Sequence, residues 1–327
     1  MSRLPDPLQP LDGGRAAEAF ARILGEDLPD AEIAAFLVAL AERGETPAEI
    51  AAAAGVLRAR MTRVAAPDGA IDVCGTGGDG SHSLNVSTAV TFVVAACGVP
   101  VAKHGNRGAS SRSGTADVLE ALGWRPDQPL SRAEASLAET GVAFLFAQTH
   151  HPAMARVAPI RRAIGRRTIF NLLGPLANPA GVKRQMIGVF APRWTRPVAQ
   201  AAIALGGDAA LAVHGGGLDE IAVHADSGLV RADANGLSEE LFSPEAHGLG
   251  RHPPAAIAGG DPADNARALT ALFAGAGRPA YRDIVLANAA AALTVAGRSW
   301  PHALAEARAA LDTGAAADRL AQFLAFR

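Results

Sequence analysis

Residues 70–88 read AIDVCGTGGDGSHSLNVST. A short apolar run breaks into four glycines and an aspartate over Gly75–Gly80, then into small hydroxyls and an asparagine, before the apolar segment AVTFVVAAC begins. That order is strand, bare turn, helix. Glycine lets main-chain N–H groups approach an anion closely, and the N-terminus of the following helix adds a favourable partial charge. The turn therefore reads as a phosphate cradle. Asn85, Ser87 and Thr88 fall in the first turn of the helix, where amide and hydroxyl groups can donate to phosphate oxygens and the Ser87 hydroxyl can ligate a metal.

GTGGDG also matches the dinucleotide-binding pattern G-x-G-x-x-G, which calls for an acidic residue roughly 20 positions on to hold a ribose. No Asp or Glu stands between Asp79 and Asp117, and Lys103 occupies the end of the next apolar run. The dinucleotide reading fails on that point, while the anion site survives it.

Outward from this stretch the pattern repeats. Short apolar runs, AIDVC, GVPVAKHG, GVAFLFA, RQMIGVFAP, LAVHGGG and IAVHA, are each followed by a glycine-rich turn or an Ala-rich segment. Such alternation predicts βα units and a mainly parallel sheet. ADANGLSEELFSPEAHGLG is rich in turn formers and reads as a surface excursion. Before residue 65 the period changes to three and four: Ile33, Phe36, Leu37 and Leu40 share a helix face that Gly44 ends, and TPAE offers Thr46 as cap, Pro47 in the first turn and Glu49 for a capping box. A further helix covers residues 12–25. Ala65, Pro67 and Gly69 mark a boundary. The expected fold class is α/β, with a small all-helical domain over 1–67, completed by a later helical segment around 155–168, and a large α/β domain over 70–327 around a central, mainly parallel sheet.

Bulk composition narrows the function classes. Of 327 residues, 49% are hydrophobic and only 5% aromatic, so the core must be built mostly from Ala, Val, Leu and Ile. The formal net charge of −2 supplies no global positive field, which argues against nucleic-acid and membrane-surface binding. Cys74 and Cys97 lie in apolar surroundings without ligand spacing, as reduced cysteines of a cytoplasmic protein do. The N-terminus has no signal-peptide pattern, and the longest apolar tract, 86–102, is interrupted by Ser87, Thr88, Thr91 and Pro100.

Three more stretches carry chemistry. KHGNRGASSRSG, 103–114, sets Lys103, His104, Asn106 and Arg107 among small residues after a strand, so two donor-rich loops would face one crevice at the strand ends. GGGLDE, 215–220, puts Asp219 and Glu220 side by side in a glycine-rich turn, a donor set suited to Mg²⁺ completed by water and substrate phosphate oxygens. The segment before NLLGPLANP carries Arg156, Arg161, Arg162, Arg166 and Arg167, any one of which could read an acidic co-substrate in planar, bidentate fashion. HGGG at 214–217 matches a lipase oxyanion motif, but no G-x-S-x-G occurs, which argues against a serine hydrolase.

Taken in order, GTGGDGSHSLNVST, KHGNRGASSRSG, NLLGPLANP and GLDEI resemble the anthranilate phosphoribosyltransferase family, from about residue 12 to the C-terminus. The resemblance implies transfer of phosphoribose from phosphoribosyl pyrophosphate to the amine of anthranilate, Mg²⁺ dependence and a homodimer formed through the small domain. It implies that Gly75, Gly78, Asp79, Ser83, Asn85, Ser87 and Thr88, with Lys103, His104, Gly105, Asn106, Ser111 and Thr115, surround phosphoribosyl pyrophosphate. Ser87, Asp219 and Glu220 would serve the metal; Gly75, Asn106 and Arg161 would position anthranilate; Lys103, Asn106 and Arg161 would act in catalysis. Gln148, Thr149 and His150 depart from the family, which commonly has a proline there. Two other readings are a phosphoribosyltransferase using a different aromatic acceptor and a non-catalytic nucleic-acid-binding relative.

Overall fold

The computed structural model describes residues 4–25, 28–108, 112–126 and 129–326. It opens with three helices, α1 (Gly13–Ile23), α2 (Asp30–Arg43) and α3 (Pro47–Ala59). Their ends follow the sequence. Asp12 caps α1 by accepting from the Arg15 amide, Gly44 stops α2 at φ 94°, and Thr46 with Glu49 forms the capping box of α3. Glu49 is fully buried, where its carboxylate takes the Leu11 amide and an ion pair with Arg43, so one side chain ties α3 to the segment before α1.

The remaining elements, in chain order, are β1 (Ile71–Gly75), α4 (Val86–Ala96), β2 (Val101–Gly105), α5 (Thr115–Ala121), α6 (Leu130–Thr140), β3 (Val142–Phe146), α7 (Ala147–His150), α8 (Met154–Ile164), α9 (Phe170–Leu176), β4 (Arg184–Gly188), α10 (Thr195–Ala204), β5 (Ala209–Gly215), β6 (Ser227–Asp233), β7 (Gly236–Phe242), α11 (Pro262–Phe273), α12 (Pro279–Val295), α13 (Trp300–Asp312) and α14 (Ala315–Ala325). One sheet runs in the order β3-β2-β1-β4-β5-β6-β7. β1 to β5 are parallel, and β6 and β7 join antiparallel as a hairpin at the edge.

Two sequence expectations need correction here. IAVHA, 221–225, is irregular, and the strand lies just beyond it as SGLVRAD. The supposed surface excursion contains β7, whose residues are exposed up to Phe242, so no buried alternation marks it.

Side chains alternate across the parallel strands with the period of two that a pleated strand requires. Val142, Phe144 and Phe146 face one core with α4 and α11 to α14, whereas Ala143 and Leu145 face a smaller cluster under α6. Met186 and Ile187 divide likewise: Ile187 belongs to a core that runs without a break from α1–α3 through α8, α9 and α10. The helical bundle and the sheet thus share apolar surface on the α9–α10 side.

Candidate active site

Four of the five parallel strands end in glycine: Gly75, Gly105, Gly188 and Gly215 close β1, β2, β4 and β5. β1 lies between β2 and β4, so chain order reverses beside it, and the loops leaving those carboxyl ends meet over the crevice where open α/β sheets hold ligands.

The acidic turn lies across these ends. A Cβ on Gly75 would stand 2.1 Å from Asp219 Oδ2, and one on Gly188 would stand 1.6 Å from the Asp219 carbonyl oxygen. Only glycine admits Asp219 there. Its Oδ2 accepts the Gly77 amide at 2.7 Å, tying the acidic turn to the glycine loop, and its own amide lies 3.4 Å from Asp79 Oδ2. The Thr76 amide donates to Gly188 O, and the Thr76 hydroxyl takes the Phe190 amide. Positive φ at Gly77, Gly78 and Gly80 lets the loop double back, and Asp79 accepts the Ser81 amide. Burial and the charge of Asp79 push the Asp219 carboxyl up to about 7, and burial with the charge of Asp219 pushes Glu220 well above the usual carboxylate range, opposed by Lys103. Such a crowded set of hard oxygens is relieved by a divalent cation. Among the described residues no group of three or more His, Cys, Asp or Glu side chains is arranged to hold a metal by itself, so substrate oxygens or water would have to complete the shell.

Strand alternation sends Lys103 and His104 in opposite directions. Lys103 is buried on the α4 side, where Nζ donates to Val73 O at 2.6 Å and to the Ser87 hydroxyl at 3.2 Å. His104 is buried on the α9 side: Nδ1 bonds Gly174 O at 2.9 Å, and Nε2 lies 3.2 Å from Nε2 of His151. Burial and the neighbouring His151 hold the His104 pKa down at about 3, and burial with His150 holds His151 at about 4, so both rings are neutral near pH 7.

Beneath the two loops lies Asp72, fully buried in β1. Its carboxylate accepts the His104 amide at 3.1 Å and Asn178 Nδ2 at 2.7 Å, while Asn178 also donates to Ala102 O. Burial raises its pKa; Lys103 and these donors counter the rise. Sequence reasoning left NLLGPLANP without a role and passed over Asp72. The one acid inside the apolar run AIDVC was the available signal, since a buried carboxylate requires partners.

At the start of α4, the Asn85 side chain makes no capping bond; its Oδ1 accepts from Asn265 Nδ2 at 2.7 Å, its main-chain carbonyl accepts from the Tyr281 hydroxyl, and its Nδ2 donates to Ser113 O at 3.4 Å. Thr88 and Thr115, both buried, share a 3.2 Å hydroxyl contact that joins the first turns of α4 and α5. Ser83 forms an isolated bridge with Ala258. Ser111 lies outside the described residues. Asn265 and Tyr281 come from distant α11 and α12 and had no local signature.

In the second loop, Asn106 is exposed, with Oδ1 accepting the Arg107 amide and, at 3.5 Å, Gln148 Nε2. Arg107 pairs with Asp117 and Glu120 and lies over Phe146, so it braces the loop. Among the arginines near α8, Arg156 pairs with Asp30 and Arg166 with Glu42, while Arg167 donates to Gly78 O and stacks over Phe190 at 4.5 Å. Arg161 is different. Half-buried against the Phe170 ring at 5.7 Å, its guanidinium has no hydrogen-bond or carboxylate partner among the described residues.

Known proteins resemble the chain along nearly its whole length. The glycosyl transferase family model for a helical bundle domain matches residues 6–61, and that for the a/b domain matches 67–317. The chain is 52% identical over 319 residues to the anthranilate phosphoribosyltransferase of Novosphingobium aromaticivorans, covering 97% of this chain and 96% of the relative. It superposes on the crystal structure of anthranilate phosphoribosyltransferase from Thermus thermophilus with a TM-score of 0.93 at 41% identity, covering 98% and 96% of the two chains. The Saccharomyces cerevisiae anthranilate phosphoribosyltransferase in complex with PRPP and Mg matches with a TM-score of 0.86 at 27% identity, covering 96% and 93%; the same enzyme is also solved with 4-fluoroanthranilate.

Proposed function

The chain belongs to the glycosyl transferase family that joins a helical bundle to an α/β domain, and we propose that it is an anthranilate phosphoribosyltransferase. It moves the phosphoribosyl group of phosphoribosyl pyrophosphate to the amine of anthranilate, giving N-(5-phosphoribosyl)anthranilate and pyrophosphate. The observation that carries the reading is the bond from the Gly77 amide to Asp219, which brings an anion-binding turn and an acidic, cation-binding turn into one site.

Departure of pyrophosphate builds positive charge on the sugar C1 and negative charge on the leaving group. The amides of the loop Gly75–Gly80 and the N-terminus of α4, with Lys103 behind Ser87, stabilise the leaving diphosphate through donors fixed in advance. Gly78, Asp79, Ser83, Asn85, Ser87 and Thr88 contribute from the first loop and α4, and His104, Gly105, Asn106, Ser111 and Thr115 from the second. Asp219, Glu220 and the Ser87 hydroxyl would hold Mg²⁺, which supplies charge neutralisation on the diphosphate when bound. Arg161 binds the anthranilate carboxylate, with Asn106 and Gly75 completing the acceptor pocket; its unpartnered guanidinium supports this role. The acceptor amine attacks without a protein nucleophile, so orientation and charge stabilisation supply the catalysis.

The reading extends to a small domain over 1–67 completed around 155–168, a large domain over 70–327, and a cytoplasmic homodimer formed through the helical bundle. No helix among the described residues is long and apolar enough to cross a membrane. Pyrophosphate release measured with a panel of aromatic acids tests the acceptor: anthranilate is expected to outpace benzoate, 4-aminobenzoate and nicotinate. Faster turnover with another member would keep the phosphoribosyl half and replace the acceptor.

A further inference from the structure

The acidic turn after β5 and the first turn of α4 are separate pieces of chain, and one helix reaches both. α12 packs on α4, β4 and β5, and every residue from Ile284 to Val295 is buried. Asn288 stands fully buried in that largely apolar stretch, where a side-chain amide costs stability unless its donors and acceptor are used.

They are used on Ile221. Asn288 Oδ1 accepts the Ile221 amide at 2.9 Å, and Nδ2 donates to Ile221 O at 2.9 Å and to Ile284 O at 2.8 Å. Ile221 directly follows Glu220, is fully buried and belongs to no strand, so its main-chain groups need partners from elsewhere. The asparagine supplies both in one plane, as a neighbouring strand would. Two turns earlier on the same helix face, about 10 Å along the axis, Tyr281 is buried in the same core, and its hydroxyl donates to the main-chain carbonyl of Asn85 at 3.1 Å. That carbonyl also accepts the Ala89 amide, the first bond of α4. Asn85 stands two residues before Ser87, whose amide faces the Glu220 carboxylate. The two clamps of α12 thus fall just before one oxygen ligand and just after the other.

We propose that Tyr281 and Asn288 are positioning residues that together set the distance between the Ser87 hydroxyl and the Glu220 carboxylate, and with it how strongly a cation couples the acidic turn to a diphosphate at the start of α4. The inference deepens the proposed function and rests on reading the crevice as a site for phosphoribosyl pyrophosphate and Mg²⁺. Each side chain works through one main-chain residue and not on the reacting atoms. Because both project from one helix, the spacing is fixed before ligand arrives, as partners behind a metal's ligands commonly fix them.

The readout is the factor by which Mg²⁺ tightens phosphoribosyl pyrophosphate binding, from calorimetric titration of the full-length protein with and without the metal. Tyr281→Phe, which removes only the hydroxyl, should lower that factor at least about threefold, the worth of one neutral hydrogen bond. Asn288→Leu, which orphans both main-chain groups of Ile221, should lower it at least about tenfold. Leu293→Ala, a truncation in the same buried stretch, is the control: its urea midpoint should fall while the factor stays at the wild-type value. If Asn288→Leu fails to fold, Tyr281→Phe decides the matter. A wild-type factor in folded Tyr281→Phe, weakening equal with and without Mg²⁺, or an equal fall in Leu293→Ala overturns the proposal and leaves the site reading standing. Wild-type protein whose binding Mg²⁺ does not tighten removes that reading, and this inference with it.

Discussion

Arg161 and Arg162 are adjacent in sequence and differ in surroundings: one is half-buried over Phe170 without a partner, the other exposed. Replacing Arg161 with alanine removes a charge-assisted pair to the acceptor carboxylate, worth about 1.5–3 kcal/mol. The KM for anthranilate should rise roughly 10- to 150-fold with the KM for phosphoribosyl pyrophosphate unchanged, as steady-state kinetics would report. Residue identity could not single it out among five arginines; what isolates it is the partners found by Arg156, Arg166 and Arg167 from elements far away in sequence, together with the exposure of Arg162. The buried histidines give a second residue-scale outcome. His104 and His151 sit well below their ordinary 6.5, so the unfolded chain binds protons that the folded chain refuses. Their contribution to stability is whole above about pH 6.5 and is lost as pH falls toward the folded values near 4 and 3, on the order of a few kcal/mol. Urea midpoints followed from pH 7 to pH 4.5 should fall steeply in the wild type and less so in His104→Asn. Parallel curves would contradict the assignment.

At the scale of elements, the glycine-terminated strands decide which turns can meet. Gly188 ends β4 under the Asp219 carbonyl, where even a methyl group must displace main chain. Gly188→Ala should therefore lose about 2–4 kcal/mol in denaturant titrations and weaken the Mg²⁺ dependence of activity, because the acidic turn moves with the strand end. An unchanged midpoint would show that the turn yields freely. The alternation of apolar runs and glycine turns made five parallel strands legible from sequence. β6 and β7 were not, because the hairpin is half solvated and β7 buries only Phe242. A strand is read from its buried face, and IAVHA was apolar because Ile221, Ala222 and Val223 are buried as irregular chain. Asp72 and Asn178 show the complementary failure: their pairing spans 106 positions and joins two motifs that local pattern treats as unrelated.

For the whole molecule, the order of motifs conveyed the site better than any single motif did, since the glycine loop alone matched a dinucleotide fold. What the chain order could not convey is the shared core of bundle and sheet, in which Phe20 of α1 packs edge-on against Phe170 of α9 and Ile187 of β4 joins the same cluster. The central claim is that the turn after β1, the turn after β2 and the acidic turn after β5 grip one diphosphorylated sugar with its cation. Titrating phosphoribosyl pyrophosphate into the protein by calorimetry, with and without Mg²⁺, addresses it directly. The account predicts one mole bound per chain, tightened by Mg²⁺ in the wild type and insensitive to Mg²⁺ in Asp219→Asn/Glu220→Gln. Folded wild-type protein that takes up no phosphoribosyl pyrophosphate in the presence of Mg²⁺ would contradict it.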